Sequence, residues 1–173
     1  NMNEDCVIIN ENHYLSFSKL NQKNITNLFT LKPYNFRTGF ISNNKIAEDY
    51  NNIQETLNHD FIKIIKPIQT HTSIVKKVDV SNIDETFNNV DGLITNMKNV
   101  ALVTSLADCQ GILLYDSVNK VIGNIHSGWK GTIYRIIANA VNLMIKEYEC
   151  NPKNIEVYIC PSILDCCFEV DSD

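Results

Sequence analysis

The chain has 173 residues and a formal net charge of −5, with 44% hydrophobic and 20% charged residues. A net negative balance argues against a nucleic-acid or anionic-membrane partner, and no apolar run is long enough to span a bilayer. This length can bury a real core, and one domain over residues 1–173 is the economical expectation.

The first ten residues lack the basic-then-apolar order of an export signal. The six cysteines (Cys6, Cys109, Cys150, Cys160, Cys166 and Cys167) show no framework spacing. They are therefore expected as reduced thiols in a cytoplasmic protein. The adjacent pair Cys166 and Cys167 reads either as a redox or metal site or as core packing, the commoner fate of free cysteine. The first half is rich in asparagine, with short β-like runs such as "CVII" (6–9) and "IKII" (62–65) between polar stretches.

The second half has clearer periodicity. "NVALVTSL" (99–106) predicts a strand, "ADCQ" (107–110) interrupts it, and "GILLYD" (111–116) predicts another. "SVNK" is a turn, and "VIGNIH" (121–126) is a third strand ending at His126. After "SGWKG" the period becomes helical: Ile133, Ile136, Ile137, Ala140, Val141, Met144 and Tyr148 share one face. "NPKN" (151–154) stops that helix and "IEVYIC" (155–160) returns to strand. The order β-β-β-α-β indicates a layered α/β domain.

The chain contains four histidines, His13, His59, His71 and His126. His71 sits in "IQTHTSIV" (68–75), read as an extended segment; Cys109 lies in the break between two strands, and His126 at a strand end. Two imidazoles and one thiolate form a three-ligand zinc set with a fourth position open, the catalytic pattern. Their separations of 38 and 17 residues match no local zinc motif, and a lone His or Cys at a strand end is more often structural. The turn after His126 leads into a helix N-terminus, where free backbone N–H groups favour an anion. Gly128 and Gly131 permit close backbone approach, Lys130 supplies charge and Trp129 a flat apolar wall. A solvated lysine and a core tryptophan would explain the last two equally well.

Five ordered motifs, "IQTHT", "VDGLIT" (90–95), "TSLADCQGILLYD" (104–116), "NIHSGWKGT" (124–132) and "CPSILDCCFEVD" (160–171), resemble the YfiH/YlmD family. That family was long labelled multicopper polyphenol oxidase (laccase) and includes the human laccase-domain protein. The resemblance covers roughly residues 35–173. It implies an α+β layered α/β/β/α architecture of cysteine-hydrolase type. It also implies one zinc held by His71, Cys109 and His126, with copper as an alternative metal. Purine nucleoside chemistry is implied as well: phosphorolysis of adenosine, inosine or methylthioadenosine, and deamination of adenosine. The small-molecule partners would be nucleoside and phosphate; nothing specifies an oligomeric state.

The chain departs from the family pattern in places. The early R-x-G-G-V-S loop appears as "RTGFIS" (37–42), with Phe40 for the second glycine beside Arg37, a candidate phosphate or ribose contact. Lys130 stands where arginine is usual, which keeps the charge and loses the bidentate fork. Cys160 replaces a glycine. The family pattern continues past the E-V motif into a C-terminal segment with further strands, whereas the sequence stops at Asp173.

Three functions follow as expectations. In a zinc-dependent purine nucleoside enzyme, Cys109 and His126 serve the metal, Trp129 or another aromatic stacks on a base, and Arg37 with residues 128–131 seats phosphate. Asp108 then orients a ligand or carries a proton, although a turn-stabilising aspartate reads equally well. In a cysteine-type amidase acting on a cell-wall precursor, Cys109 is a nucleophile activated by His126. A polyphenol oxidase needs a histidine-rich trinuclear cluster that four histidines do not supply.

Overall fold

Every residue of the strand Val100–Ser105 is buried, so this run has no solvent face and belongs at an interior position of a covered sheet. The computed structural model, which describes residues 6–9, 14–30, 51, 54–55, 63–106, 110–128, 132–160 and 166–171, places it there. In chain order the elements are β1 (Cys6–Ile9), β2 (Tyr14–Phe17), α1 (Ser18–Gln22), β3 (Ile25–Thr30), β4 (Lys63–Ile65), β5 (Val75–Lys77) and β6 (Gly92–Thr95). There follow β7 (Val100–Ser105), β8 (Gln110–Asp116), β9 (Val121–Ser127), α2 (Ile133–Tyr148), β10 (Ile155–Ile159) and β11 (Cys166–Asp171).

A six-stranded sheet runs in the order β1-β2-β3-β11-β7-β4, and a five-stranded sheet in the order β10-β8-β9-β6-β5. Pairing is antiparallel except for β4 with β7 and β5 with β6. The strands β7 and β8 follow each other in sequence yet lie in different sheets. The chain thus passes from one sheet to the other between Leu106 and Gln110, and Gln110, expected in a break between strands, already belongs to β8.

β8 and β9 form a hairpin in register from Gln110 opposite Ser127 to Asp116 opposite Val121. Its turn is made by Asp116, whose Oδ1 accepts the N–H groups of Val118 at 2.8 Å and Asn119 at 3.2 Å. The core between the sheets joins Leu15, Phe17 and Phe29 to Leu102, Leu113, Tyr115 and Ile122. Among the described residues a polar tie crosses it: the Thr104 hydroxyl donates to Asn124 Oδ1 at 2.7 Å, and Asn124 Nδ2 donates to the Leu102 carbonyl at 2.8 Å.

The other face of the five-stranded sheet carries α2, as its 3.6-residue apolar period requires. Ile136, Ala140 and Met144 are buried there with Ile94, Ile112, Leu114 and Ile125. Burying a side chain such as Ile136 or Met144 stabilises this docking by about 1.5–3 kcal/mol each. Glu149 ends the helix in the left-handed region at φ 54°, and its N–H bonds back to the Ile145 carbonyl. Asn151 then caps the short turn Pro152–Asn154 by accepting the Lys153 N–H at 3.0 Å.

The result is an α+β fold of mixed sheets with few helices. The strands expected at 99–106, 111–116, 121–126 and 155–160, and the helix between them, are present to within about one residue at each end. Among the described residues, no helix is long and apolar enough to cross a membrane. Cys150 and Cys160 are buried.

Candidate functional site around Asp91

The site starts from a buried carboxylate. Asp91 immediately precedes β6 and has no solvent exposure. Its carbonyl accepts the His126 N–H at 2.8 Å and its own N–H donates to the Ile74 carbonyl at 3.0 Å. Gly92 allows this closeness, since a Cβ there would stand 2.4 Å from Ile125 Cγ2 on β9.

The Asp91 side chain gathers five donors. Oδ1 accepts the N–H groups of Thr70 at 3.2 Å and Thr72 at 2.9 Å, and the Thr72 hydroxyl at 2.8 Å. Oδ2 accepts the His71 N–H at 3.1 Å and lies 2.8 Å from His126 Nδ1. Burial alone pushes this carboxyl up; the hydrogen bonds from His126, Thr72 and Thr70 outweigh it and hold Asp91 down at about 2.

One carboxylate therefore touches both sequence-predicted histidines. It holds the backbone of His71 and the imidazole of His126. The two rings lie 5.7 Å apart between centroids, inclined by 33°. Residues 70–72 wrap around Asp91, which places His71 at φ 62°. The extended segment expected around His71 is therefore bent at that residue, and strand begins only at Val75. His71 is exposed, whereas His126 is buried, with its side chain 3% accessible. The strand end expected at His126 is thus an enclosed position.

Gly128 supports the pair. A Cβ on it would stand 3.0 Å from His71 Cγ and 3.1 Å from Cδ2, so the bare backbone makes room for the ring. Gln69 supports the crossing between sheets: its Nε2 donates to the Ser105 carbonyl and its Oε1 accepts the Ser105 N–H, both at 2.8 Å. On the other flank, Gln110 is the register partner of Ser127, the residue after His126. The Ser127 and Thr132 hydroxyls lie 2.9 Å apart ahead of α2.

Of the sequence-predicted site residues, the structure brings together His71, His126 and Gly128. Cys109, Asp108, Arg37, Trp129, Lys130 and Gly131 lie outside the described residues, as do the side chains of Cys166 and Cys167. Among the described residues, no group of three or more His, Cys, Asp or Glu is gathered to hold a metal ion. Cys150 is no rival nucleophile: burial, then the neighbouring Asp116, push its thiol up to about 12. Asp91 and Gln69 were not singled out from sequence, although both sit in quoted motifs, "VDGLIT" and "IQTHT".

A family described as multi-copper polyphenol oxidoreductase laccase matches residues 41–173. The chain belongs to that family. It is 35% identical over 143 residues to a Borreliella burgdorferi protein named purine nucleoside phosphorylase, covering 83% of this chain and 57% of that one. It is 32% identical over 151 residues to the Bacillus subtilis purine nucleoside phosphorylase YlmD, covering 81% and 54%. The chain thus spans a little over half the length of these curated relatives.

The fold is that of solved family members. Geobacillus stearothermophilus YlmD superposes with a TM-score of 0.81 at 21% identity, over 91% of this chain and 65% of that one. Bacillus licheniformis YfiH gives 0.77 at 25% identity, over 91% and 64%. The family's description implies a bound metal, and its named relatives are enzymes of the purine nucleoside phosphorylase type.

Proposed function

We propose that this chain carries the site of a cytoplasmic, zinc-dependent purine nucleoside enzyme, with His71, Cys109 and His126 as metal ligands. Its reactions would be phosphorolysis of adenosine, inosine or methylthioadenosine and deamination of adenosine, with copper as an alternative metal. The observation that carries this reading is the pairing of His71 with His126 over Asp91, in a chain similar to proteins named purine nucleoside phosphorylase.

The pair fits a metal. The two rings stand 5.7 Å apart between centroids, and two imidazoles with one thiolate are a donor set that would suit zinc. The carboxylate bonded to Nδ1 leaves Nε2 for a ligand bond, the usual support of a metal-binding histidine. When bound, zinc would supply Lewis acidity or an activated water. The remaining roles fall to the chain: Arg37, Gly128, Lys130 and Gly131 seat phosphate, Trp129 lines the base, and Asp108 orients a ligand or carries a proton.

A second reading shares the same geometry. A carboxylate that orients a histidine is also the rear half of a nucleophile–base–orienter set, so Cys109 with His126 and Asp91 would suit a cysteine-type amidase or hydrolase.

The test is a nucleoside screen with and without phosphate on metal-analysed protein. The expected result is zinc near one per chain, adenine and ribose 1-phosphate from adenosine only when phosphate is present, and a raised phosphate requirement in Lys130→Ala. Zinc-free protein that turns over nucleosides equally with and without phosphate would overturn the proposal.

A further inference from the structure

We infer that Asp91 is the positioning residue for both imidazoles, fixing the tautomer of His126 and the backbone pose of His71 through one carboxylate. The inference deepens the proposed metal site and rests on that reading only for its consequence in zinc affinity.

The argument is an inventory of donors. Five N–H or O–H groups point at the two oxygens of Asp91: Thr70 N, His71 N, Thr72 N, the Thr72 hydroxyl and His126 Nδ1. A carboxylate that only accepts satisfies them all. At 2.8 Å from such an oxygen, Nδ1 of His126 must carry the proton, so Nε2 of a neutral ring keeps its lone pair. His126 cannot escape by turning into solvent, because its side chain is 3% accessible. Its backbone N–H is also fixed on the Asp91 carbonyl.

The same oxygens hold residues 70–72 in a bend that places His71 at φ 62°, a backbone conformation uncommon for a residue with a Cβ. Ordering of that bend decides where the His71 ring stands relative to His126. A single acceptor thus couples two ligand candidates 55 residues apart in the chain.

Asp91→Asn separates this role from packing, because shape is kept while one acceptor becomes a donor. With its amide nitrogen in place of Oδ2, Nδ1 of His126 must accept and the proton moves to Nε2, which removes the ligand lone pair, and the same nitrogen meets the His71 N–H donor against donor. With the amide nitrogen in place of Oδ1, donor faces donor at Thr70 and Thr72 and the bend around His71 loosens, although the His71 N–H still meets an oxygen. Either orientation disturbs the placement of at least one imidazole.

The experiment is ¹⁵N NMR of the imidazoles in metal-free, full-length chain at a pH where the rings are neutral, with His126 assigned by loss of its signals in His126→Gln. Zinc affinity is measured in parallel by competition with a chromophoric chelator. The wild type is expected to show a protonated Nδ1 and a bare Nε2 on His126. Asp91→Asn is expected to shift the proton to Nε2 or to mix the tautomers, and to weaken zinc roughly 10–100-fold. Thr72→Val, which removes a single donor, should keep the tautomer and most of the affinity. A wild-type His126 protonated on Nε2 overturns the inference, and this arm needs no variant to fold. Asp91→Asn with unaltered tautomer and zinc affinity overturns it too. A wild type that takes up no zinc yet shows the Nδ1–H tautomer supports the inference and contradicts only the metal reading.

Discussion

A Cβ on Gly128 would stand 3.0 Å from Cγ of His71, so the residue after the β9 strand and the bend at 70–72 are fitted to each other. Gly128→Ala asks the His71 ring to move by a few tenths of an ångström. Stability should change by no more than about 1 kcal/mol, because the neighbour is a side chain with room to adjust. Zinc affinity, read by chelator competition, should fall several-fold. Unchanged affinity would show that the ring's position does not matter to binding.

Gln69 extends the end of β7 as a backbone peptide would, giving and receiving one hydrogen bond with Ser105. Gln69→Ala leaves a backbone donor and acceptor without these partners, and urea denaturation should show a loss of about 2 kcal/mol. Gln69→Glu keeps the acceptor but turns a carboxylate toward the Ser105 carbonyl, so it should not restore wild-type stability. A loss below about 0.5 kcal/mol in Gln69→Ala would contradict this role.

Glu169 on β11 is fully buried, and neither carboxyl oxygen has a well-formed hydrogen-bond partner among the described residues. Burial pushes its carboxyl well above the ordinary 4.5; the nearby Gly123 backbone N–H opposes this only in part, and the Asp171 charge adds to it. The folded state therefore binds a proton that the unfolded chain gives up above about 4.5, so stability falls as pH rises from there toward the folded-state value. Glu169→Gln removes that slope. Its thermal midpoint should exceed the wild type's at pH 8, with the advantage shrinking toward pH 4.5; an advantage independent of pH would refute the protonated state.

Much of the fold was legible because the second half follows strict periods. β7 to β10 read as alternating or continuous apolar runs, and α2 as a 3.6-residue stripe. The division of β7 and β8 between two sheets was not legible. Strand pairing is set by non-local packing, and a short break such as 107–110 looks the same whether it turns a hairpin or crosses between sheets.

Within the site, His71 and His126 stood out as rare residues at element edges. Asp91 did not: an aspartate before a glycine reads as an ordinary turn, and its five donors come from residues 19 to 35 positions away. The bend at His71 was missed for the same reason, since it is created by that distant carboxylate.

The proposed zinc trio of His71, Cys109 and His126 is tested most directly by site-resolved alkylation of Cys109, followed by mass spectrometry while zinc release is recorded. A thiolate bound to zinc is shielded, and one serving as a nucleophile is free. Alkylation of Cys109 is expected to be slow in zinc-loaded protein and fast after chelation, with one zinc released per Cys109 modified. Nucleoside turnover is expected to vanish on chelation and return with zinc. An acyl or glycosyl adduct on Cys109, trapped in metal-free and fully active protein, would contradict the metal site and assign the chain to the cysteine hydrolases.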